Sequence, residues 1–183
     1  MDSSQHEAQA CAVSVPIVMK LEEPDLRLAA YQACERQIQN IIVGRKPRYG
    51  NDDSKPWENH IIGCIGEYCV AKHLGLFWNG SLGHLHAKDV GDVQVRATSY
   101  YQGELMIHDE DLDNDVFVFV RGKGLIWTIH GWAWGRDVKQ DKFWNIKIKR
   151  HAYTVGPELL RDMAILEKRI IVNRLAALEE REG

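Results

Sequence analysis

The sequence is poor in the residues that mark several common classes of protein. It has four cysteines, Cys11, Cys34, Cys64 and Cys69, without the paired spacing of a disulfide framework or a zinc site. We therefore expect reduced, partly buried thiols. It also has no apolar run near the roughly 18 residues needed to cross a bilayer, which argues against a membrane protein.

The first residues also lack the positive charge with which a secretory signal begins. Residues 8–19 are mildly apolar, but the residues before them include Asp2 and Glu7 and neither Lys nor Arg. We therefore expect a cytoplasmic protein. Residues 1–20 are expected to be flexible, and residues 21–183 are long enough to form a single domain with its own core.

The chain has no overall excess of positive charge, which is the simplest sign of a nucleic-acid-binding protein. Its formal net charge is −3, from 23 Lys and Arg against 26 Asp and Glu. Basic residues are nevertheless concentrated in a predicted loop near residue 45 and in residues 136–150. The candidate nucleic-acid contacts are Arg45, Lys46, Arg48, Lys139, Lys142, Lys147, Lys149 and Arg150. A solvated surface without a partner is the alternative interpretation.

Hydrophobic periodicity predicts a mixed domain of helices and strands. Helical spacing, bounded by Gly or Pro, predicts helices over residues 25–43, 58–74 and 157–181. Alternating or continuous apolar runs predict strands over residues 92–98, 105–108, 116–121, 125–134 and 144–149. The first two strands are predicted to form a hairpin, and the third to lie in the centre of a sheet. The expected fold is α/β (α+β), with a mixed β-sheet flanked by helices.

The second predicted helix carries a carboxylate on its apolar side. At 100° per residue, Glu67 shares a face with Gly63, Cys64 and Val70. Burial of an isolated charge is costly unless the group is paired, protonated or bound to a metal. A glutamate that pairs with an arginine in the core is therefore the structural alternative to a ligand. Gly63 and Gly66 disfavour a helix, and they suit positions where a backbone or a ligand comes close.

Two short motifs resemble the core of a nuclease superfamily. The stretch G-C-I-G-E-Y-C-V-A-K-H-L-G, residues 63–75, precedes K-D-V-G-D-V-Q-V-R, residues 88–96. Together they resemble the PD-(D/E)xK nucleases and, more narrowly, small uncharacterised phage and prophage proteins with that core. The later G-W-A-W-G-R-D, residues 131–137, is similar to those proteins as well. The resemblance covers about residues 57–165 and implies a restriction-endonuclease-like core.

The resemblance also implies roles for individual residues. Glu67 matches the helix glutamate of the family and Asp89 its metal-bridging aspartate, with Asp92 as the competing candidate. Gln94 stands where the family usually has Asp or Glu, and Arg96 where it usually has Lys. Glu67, Asp89 and Gln94 would then hold Mg²⁺ or Mn²⁺. Arg96 would bind a phosphate oxygen and stabilise the transition state.

The implied function is metal-dependent hydrolysis of DNA phosphodiester bonds by a phage protein in the host cytoplasm. The departures at Gln94 and Arg96 leave a second hypothesis open, a catalytically inactive nuclease-fold protein. Such a protein would bind nucleic acid or a host protein, as an anti-defence or regulatory factor. Arg96 would then neutralise Glu67 or Asp89 without a metal.

The predicted C-terminal helix is long and apolar on one side. Leu159, Met163, Leu166 and Ile170 recur at alternating steps of four and three residues. This stripe predicts either packing into the core or pairing with a second copy as a homodimer.

Overall fold

The structure is a computed structural model, and it describes residues 14–44, 55–80 and 88–182, with side chains up to residue 180 at the C-terminal end. The helices are α1 (Glu23–Ile42), α2 (Pro56–Leu74), α3 (Gly135–Val138) and α4 (Met163–Glu182). The strands are β1 (Ile17–Lys20), β2 (Val93–Thr98), β3 (Leu105–Ile107), β4 (Val116–Lys123), β5 (Ile126–Trp134), β6 (Trp144–Asn145) and β7 (Ala152–Val155). None of the helices in these ranges is long and apolar enough to cross a membrane.

The strands form two sheets. The large sheet has the order β1-β5-β4-β2, in which β2 runs parallel to β4 and the other neighbours are antiparallel. The small sheet has the order β3-β7-β6 and is antiparallel throughout. The predicted combination of helices, a mixed sheet and a C-terminal helix is therefore confirmed.

Helices cover one face of the large sheet, and the small sheet covers part of the other. Val116, Val118 and Val120 of β4 pack with buried residues of α1, α2 and α4. Phe117 and Phe119 alternate with them and pack with buried residues of the small sheet. Because both faces of β4 are covered at these residues, the strand is central, as its continuous apolar run predicts.

Helix α2 lies directly against the edge strand β2. A Cβ atom added at Gly66 would lie only 2.4 Å from the Cβ of Ala97, so the glycine permits this approach. Nothing lies within 4 Å of a Cβ at Gly63. Helix α2 ends where predicted, because Gly75 adopts the left-handed conformation with φ 60°.

The predicted hairpin between the first two strands is wrong. Strand β3 joins the small sheet and pairs with β7, while β2 pairs with β4. Leu105 and Ile107 are fully buried between the two sheets, and this burial outweighs a local pairing with β2. Residues 17–20, inside the segment expected to be flexible, form the edge strand β1.

The C-terminal helix begins later than predicted. Residues 157–159 form a single 3₁₀ turn, and Arg161 then exchanges backbone hydrogen bonds with Trp132 at 2.8 and 3.1 Å. This pairing holds the chain extended and interrupts the helical pattern. Asp162 follows, and its Oδ1 accepts the N–H of Ala164 at 2.8 Å, which caps the helix that starts at Met163.

Candidate functional site

The predicted carboxylate Glu67 is buried and paired with an arginine. It is 5% exposed, and the guanidinium of Arg36 donates hydrogen bonds to both of its oxygens, with Nη1 at 2.7 Å from Oε1. The Nε1–H of Trp78 donates to Oε2 at 3.1 Å. The structure therefore shows the alternative in which the buried glutamate is neutralised by a core arginine.

Arg36 reaches this site from helix α1. Ala29 and Ala33 are completely buried, so α1 can approach α2 closely, and Arg36 lies one turn further along the same face. Its Nε also donates to the carbonyl of Gly80 at 2.6 Å. Sequence reasoning missed Arg36. Its position one turn after the buried alanine stripe was the available signal.

Asp89 joins Glu67 from the segment that precedes β2. Its Oδ2 accepts the backbone N–H of Val95 at 2.7 Å, which holds the carboxylate at the edge of the sheet. Burial raises the pKa of Asp89 and the pKa of Glu67, and the charge of Asp89 raises the pKa of Glu67 further. The charges of the two carboxylates therefore act on each other, and their predicted role as metal ligands stays a prediction. Asp92, the competing candidate, is exposed in the turn before β2.

Gln94 and Arg96 lie on the opposite face of β2 from helix α2. Val95 packs with the helices, and strand alternation directs its neighbours to the other face. Arg96 Nη2 donates to both carboxylate oxygens of Asp111, at 2.9 and 3.0 Å, and its guanidinium lies 4.9 Å from the ring centre of Phe117. Sequence reasoning did not identify Asp111, which belongs to an acidic turn formed by residues 109–115.

Asp89 connects the two faces electrostatically. Burial raises its pKa, while the positive charges of Arg96 and then Arg36 act in the opposite direction. The result is a network of two arginines and three carboxylates at the edge of the large sheet. Its members are Arg36, Glu67, Asp89, Arg96 and Asp111.

The donors in this network do not fit the predicted metal site. Within residues 14–44, 55–80 and 88–182, no three His, Cys, Asp or Glu side chains form a group that could hold a metal ion. Strand β2 separates Gln94 from Glu67, and Arg36 occupies both oxygens of Glu67. Coordination by Glu67 would require Arg36 to withdraw. The predicted binding of Mg²⁺ or Mn²⁺ stays a prediction.

The basic residues predicted to contact nucleic acid are in different situations. Arg45, Lys46 and Arg48 lie outside the described residues. Lys139 is 3.0 Å from a carboxylate oxygen of Asp113 and donates to the carbonyl of Asp109 at 2.8 Å, so it fastens the acidic turn. Arg150 pairs with Glu110.

The remaining three candidates, Lys142, Lys147 and Lys149, are exposed around one hairpin. We call residues 142–153, which include β6 and the start of β7, the basic hairpin. Trp144 is 37% exposed there, and its ring centre lies 4.7 Å from that of Tyr153. The ring centre of His151 lies 6.0 Å from the ring centre of Trp144. The hairpin thus carries three exposed lysines and a small aromatic cluster.

Comparison of the chain with family models, with curated proteins and with solved structures finds no match. The resemblance to the PD-(D/E)xK nucleases stays a prediction.

Proposed function

We propose that this protein binds nucleic acid through the basic hairpin. The observation that carries the proposal is that three exposed lysines lie on the same hairpin as the partly exposed Trp144. No ion pair among the described residues includes Lys142, Lys147 or Lys149, whereas Lys72, Lys88 and Lys139 each pair with an aspartate. Unpaired cations are available to phosphate groups, and counterion release makes such contacts favourable.

The aromatic part of the hairpin adds a surface for bases. Trp144 is held by Tyr153, its direct partner across β6 and β7, so its ring is positioned before a ligand arrives. Stacking on such a ring contributes about 1–3 kcal/mol per base and requires bases that are not hidden inside a duplex. The combination favours single strands or loops over a uniform duplex.

The buried network supports binding better than cleavage. The charge of Asp89 acts on Glu67, and this interaction between the two carboxylates is the observation that favours the nuclease hypothesis. However, Glu67 is buried and Asp89 is half-buried, and the guanidinium of Arg36 already neutralises Glu67. A glutamate paired in this way suits a scaffold that fixes the edge of the sheet. Phosphodiester hydrolysis and a restriction-endonuclease-like core stay predictions.

The binding experiment uses fluorescence anisotropy with labelled single-stranded DNA, the matching RNA and a duplex. The triple variant Lys142→Ala, Lys147→Ala and Lys149→Ala is expected to bind single strands at least tenfold more weakly. The slope of log K against log salt concentration is expected to become less steep by about 2, because three phosphate contacts are lost and each contributes about 0.7. Trp144→Ala is expected to weaken single-strand binding about 5- to 150-fold.

Matched variants control for charge and for aromatic surface. Arg27→Ala, Lys168→Ala and Arg174→Ala together remove the same charge from α1 and α4, and Trp57→Ala removes another exposed tryptophan, which is 43% exposed. These variants are expected to bind like the wild type. Absence of binding by the wild type, or equal losses in test and control variants, would refute the proposal.

Incubation of plasmid and linear DNA with Mg²⁺ or Mn²⁺ tests hydrolysis in the same preparations. We expect binding to persist in EDTA and the DNA to stay intact with metal. Cleavage by the wild type that disappears in Asp89→Ala would instead establish the nuclease hypothesis and make the buried network its site.

A further inference from the structure

The large sheet has a second surface that the basic hairpin does not include. The small sheet covers only part of one face, and the last residues of β1 and β4 and the first residues of β5 remain outside it. Lys20 lies opposite Ile126, which lies opposite Lys123, so the three side chains point to the same face. In the next row, Arg121 lies opposite Thr128. We call this surface the open face.

Exposure confirms that the open face is accessible. Val18 is 66% exposed and Ile126 is 49% exposed, while their neighbours Met19 and Trp127 pack on the helix side of the sheet. Strand alternation explains the difference, since successive side chains point to opposite faces.

Three positive charges on this face lack a carboxylate partner. None of the ion pairs among the described residues includes Lys20, Arg121 or Lys123. Lys20 and Lys123 are two strand spacings apart, or about 10 Å, and Arg121 is two residues from Lys123, or about 7 Å. Cations left unpaired so close together repel each other, and an anionic ligand relieves that repulsion.

An exposed aromatic side chain borders the same cations. Tyr101 is 85% exposed, and the Arg121 guanidinium lies 5.7 Å from its ring centre. Arg121 Nη1 also donates to the carbonyl of Gly103 at 3.2 Å, which holds the guanidinium beside the ring. Tyr100, the preceding residue, is 63% exposed. An arginine next to an open aromatic ring is a suitable surface for a stacked base and its phosphate.

A buried histidine near Arg121 has hydrogen-bonding capacity that nothing in the described residues uses. His130 is the extra residue of a bulge in β5, stacks on Phe119, and has no partner at either ring nitrogen. Burial and then the charge of Arg121 lower the pKa of His130, so the ring is neutral and offers one donor and one acceptor. Both ring nitrogens are buried, so the histidine is not part of the accessible surface of the open face.

We propose that the open face binds a single-stranded segment of nucleic acid, with phosphates at Lys20, Arg121 and Lys123 and a base stacked on Tyr101. This inference rests on the proposed function, because it assigns a second contact surface and a strand preference to the same activity. A duplex would present its phosphates to the lysines but would not offer an unpaired base to Tyr101.

The test compares two variants of exposed residues, which are expected to fold. The double variant Lys20→Glu and Lys123→Glu is expected to bind a labelled 12-nucleotide oligothymidine at least tenfold more weakly than the wild type. Tyr101→Ala is expected to weaken oligothymidine binding at least fivefold and to change binding of a 12-base-pair duplex less than twofold. Circular dichroism checks that both variants are folded.

The controls separate this inference from the proposed function. Tyr31→Ala removes a tyrosine that is 62% exposed on α1, and Lys55→Glu with Lys168→Glu reverses two lysines elsewhere. Both controls are expected to bind oligothymidine within twofold of the wild type. Loss of binding in the basic-hairpin variants, with none in the open-face variants, would overturn this inference and leave the proposed function intact. If the wild type binds neither probe, both fail.

Discussion

At the scale of single residues, the pairing of Arg36 with Glu67 has a measurable effect on stability. Arg36→Ala leaves a carboxylate that is 5% exposed without its main partner. Removing one partner of a buried ion pair costs about 3–5 kcal/mol, so we expect a loss of that size in the free energy of unfolding. Urea denaturation at pH 7 measures it.

The exposed pair of Arg27 and Glu23 provides the comparison for that prediction. Arg27→Ala removes a pair one helical turn apart on the surface, and we expect a change below about 0.5 kcal/mol. Replacement of both buried partners, by Arg36→Met with Glu67→Leu, is expected to recover most of the loss. Equal effects of Arg36→Ala and Arg27→Ala would show that the buried pair contributes nothing special.

His130 gives a prediction about pH. Burial lowers its pKa from 6.5 to about 4, so between these values the unfolded chain binds a proton that the folded protein does not. Stability therefore falls as pH decreases from 6.5 towards 4, by about 3 kcal/mol at the lower limit. His130→Phe keeps the stacking on Phe119 and removes the titrating group. We expect the variant to gain about 2 kcal/mol relative to the wild type at pH 4.5 and to show no such gain at pH 7.5.

Thermal unfolding at several pH values measures this difference directly. The comparison of two proteins removes the contributions of the other titrating groups, which are common to both. Parallel curves for the wild type and His130→Phe would contradict the prediction.

At the scale of structural elements, the contact of α2 with β2 predicts opposite effects on stability for substitutions at two glycines of α2. Gly66→Ala introduces a Cβ 2.4 Å from the Cβ of Ala97, and overpacking of this kind costs about 1–3 kcal/mol. Gly63→Ala meets nothing within 4 Å, so the better helix former is expected to stabilise the protein by about 0.5–1 kcal/mol. Denaturant unfolding should give opposite signs for the two substitutions.

A compensating substitution at Ala97 tests whether this contact causes the loss of stability in Gly66→Ala. Ala97→Gly removes the atom that Gly66→Ala would strike, so we expect the double variant to be more stable than the sum of the two single effects predicts. Additive effects would indicate that the helix and the strand are not in contact at these residues.

Some elements could be predicted from the sequence because local pattern alone determines them. The continuous apolar run of β4 required two covered faces, and Gly75 ended α2 through its backbone conformation. The partner of β2 could not be predicted, since its alternation suits any neighbouring strand. Strand β1 is only four residues long, too short for a period to be recognised.

The candidate site could likewise be predicted only where a local pattern marks the residue. Glu67 was recognised because a charge on an apolar stripe is unusual, and Asp89 because of its motif. Arg36 and Asp111 are separated in sequence from their partners by 31 and 15 residues. No local pattern connects such residues, so these two ion pairs are visible only in the three-dimensional structure.

At the scale of the whole molecule, two surfaces carry clusters of cations that form no ion pair among the described residues. In the buried network, Arg36 pairs with Glu67 and Arg96 pairs with Asp111. By contrast, the basic hairpin and the open face have lysines and an arginine without carboxylate partners in the described residues. The net charge of −3 does not reveal these local clusters of positive charge. Local potential, and not net charge, is what a bound strand would experience.

The far end of α4 gives the last prediction, which concerns association. All residues from 171 to 180 are exposed, and Ile171, Leu175 and Leu178 recur at steps of four and three with 56% exposure each. An isolated helix of this length is marginal in water, so contact with a second copy would stabilise it. Three such side chains bury far less than the roughly 800 Å² per partner of a standard interface, so we expect a weak dimer.

Sedimentation velocity over a range of concentrations tests this expectation. The wild type is expected to shift from monomer towards dimer at tens of micromolar or above, a range typical of small interfaces. Leu175→Glu is expected to remain monomeric, since it buries a charge at the centre of the stripe. The control Leu112→Glu, at a position 63% exposed in the acidic turn, should associate like the wild type. A dimer that persists in Leu175→Glu would place the interface elsewhere, and a wild type that is monomeric throughout would refute pairing through α4.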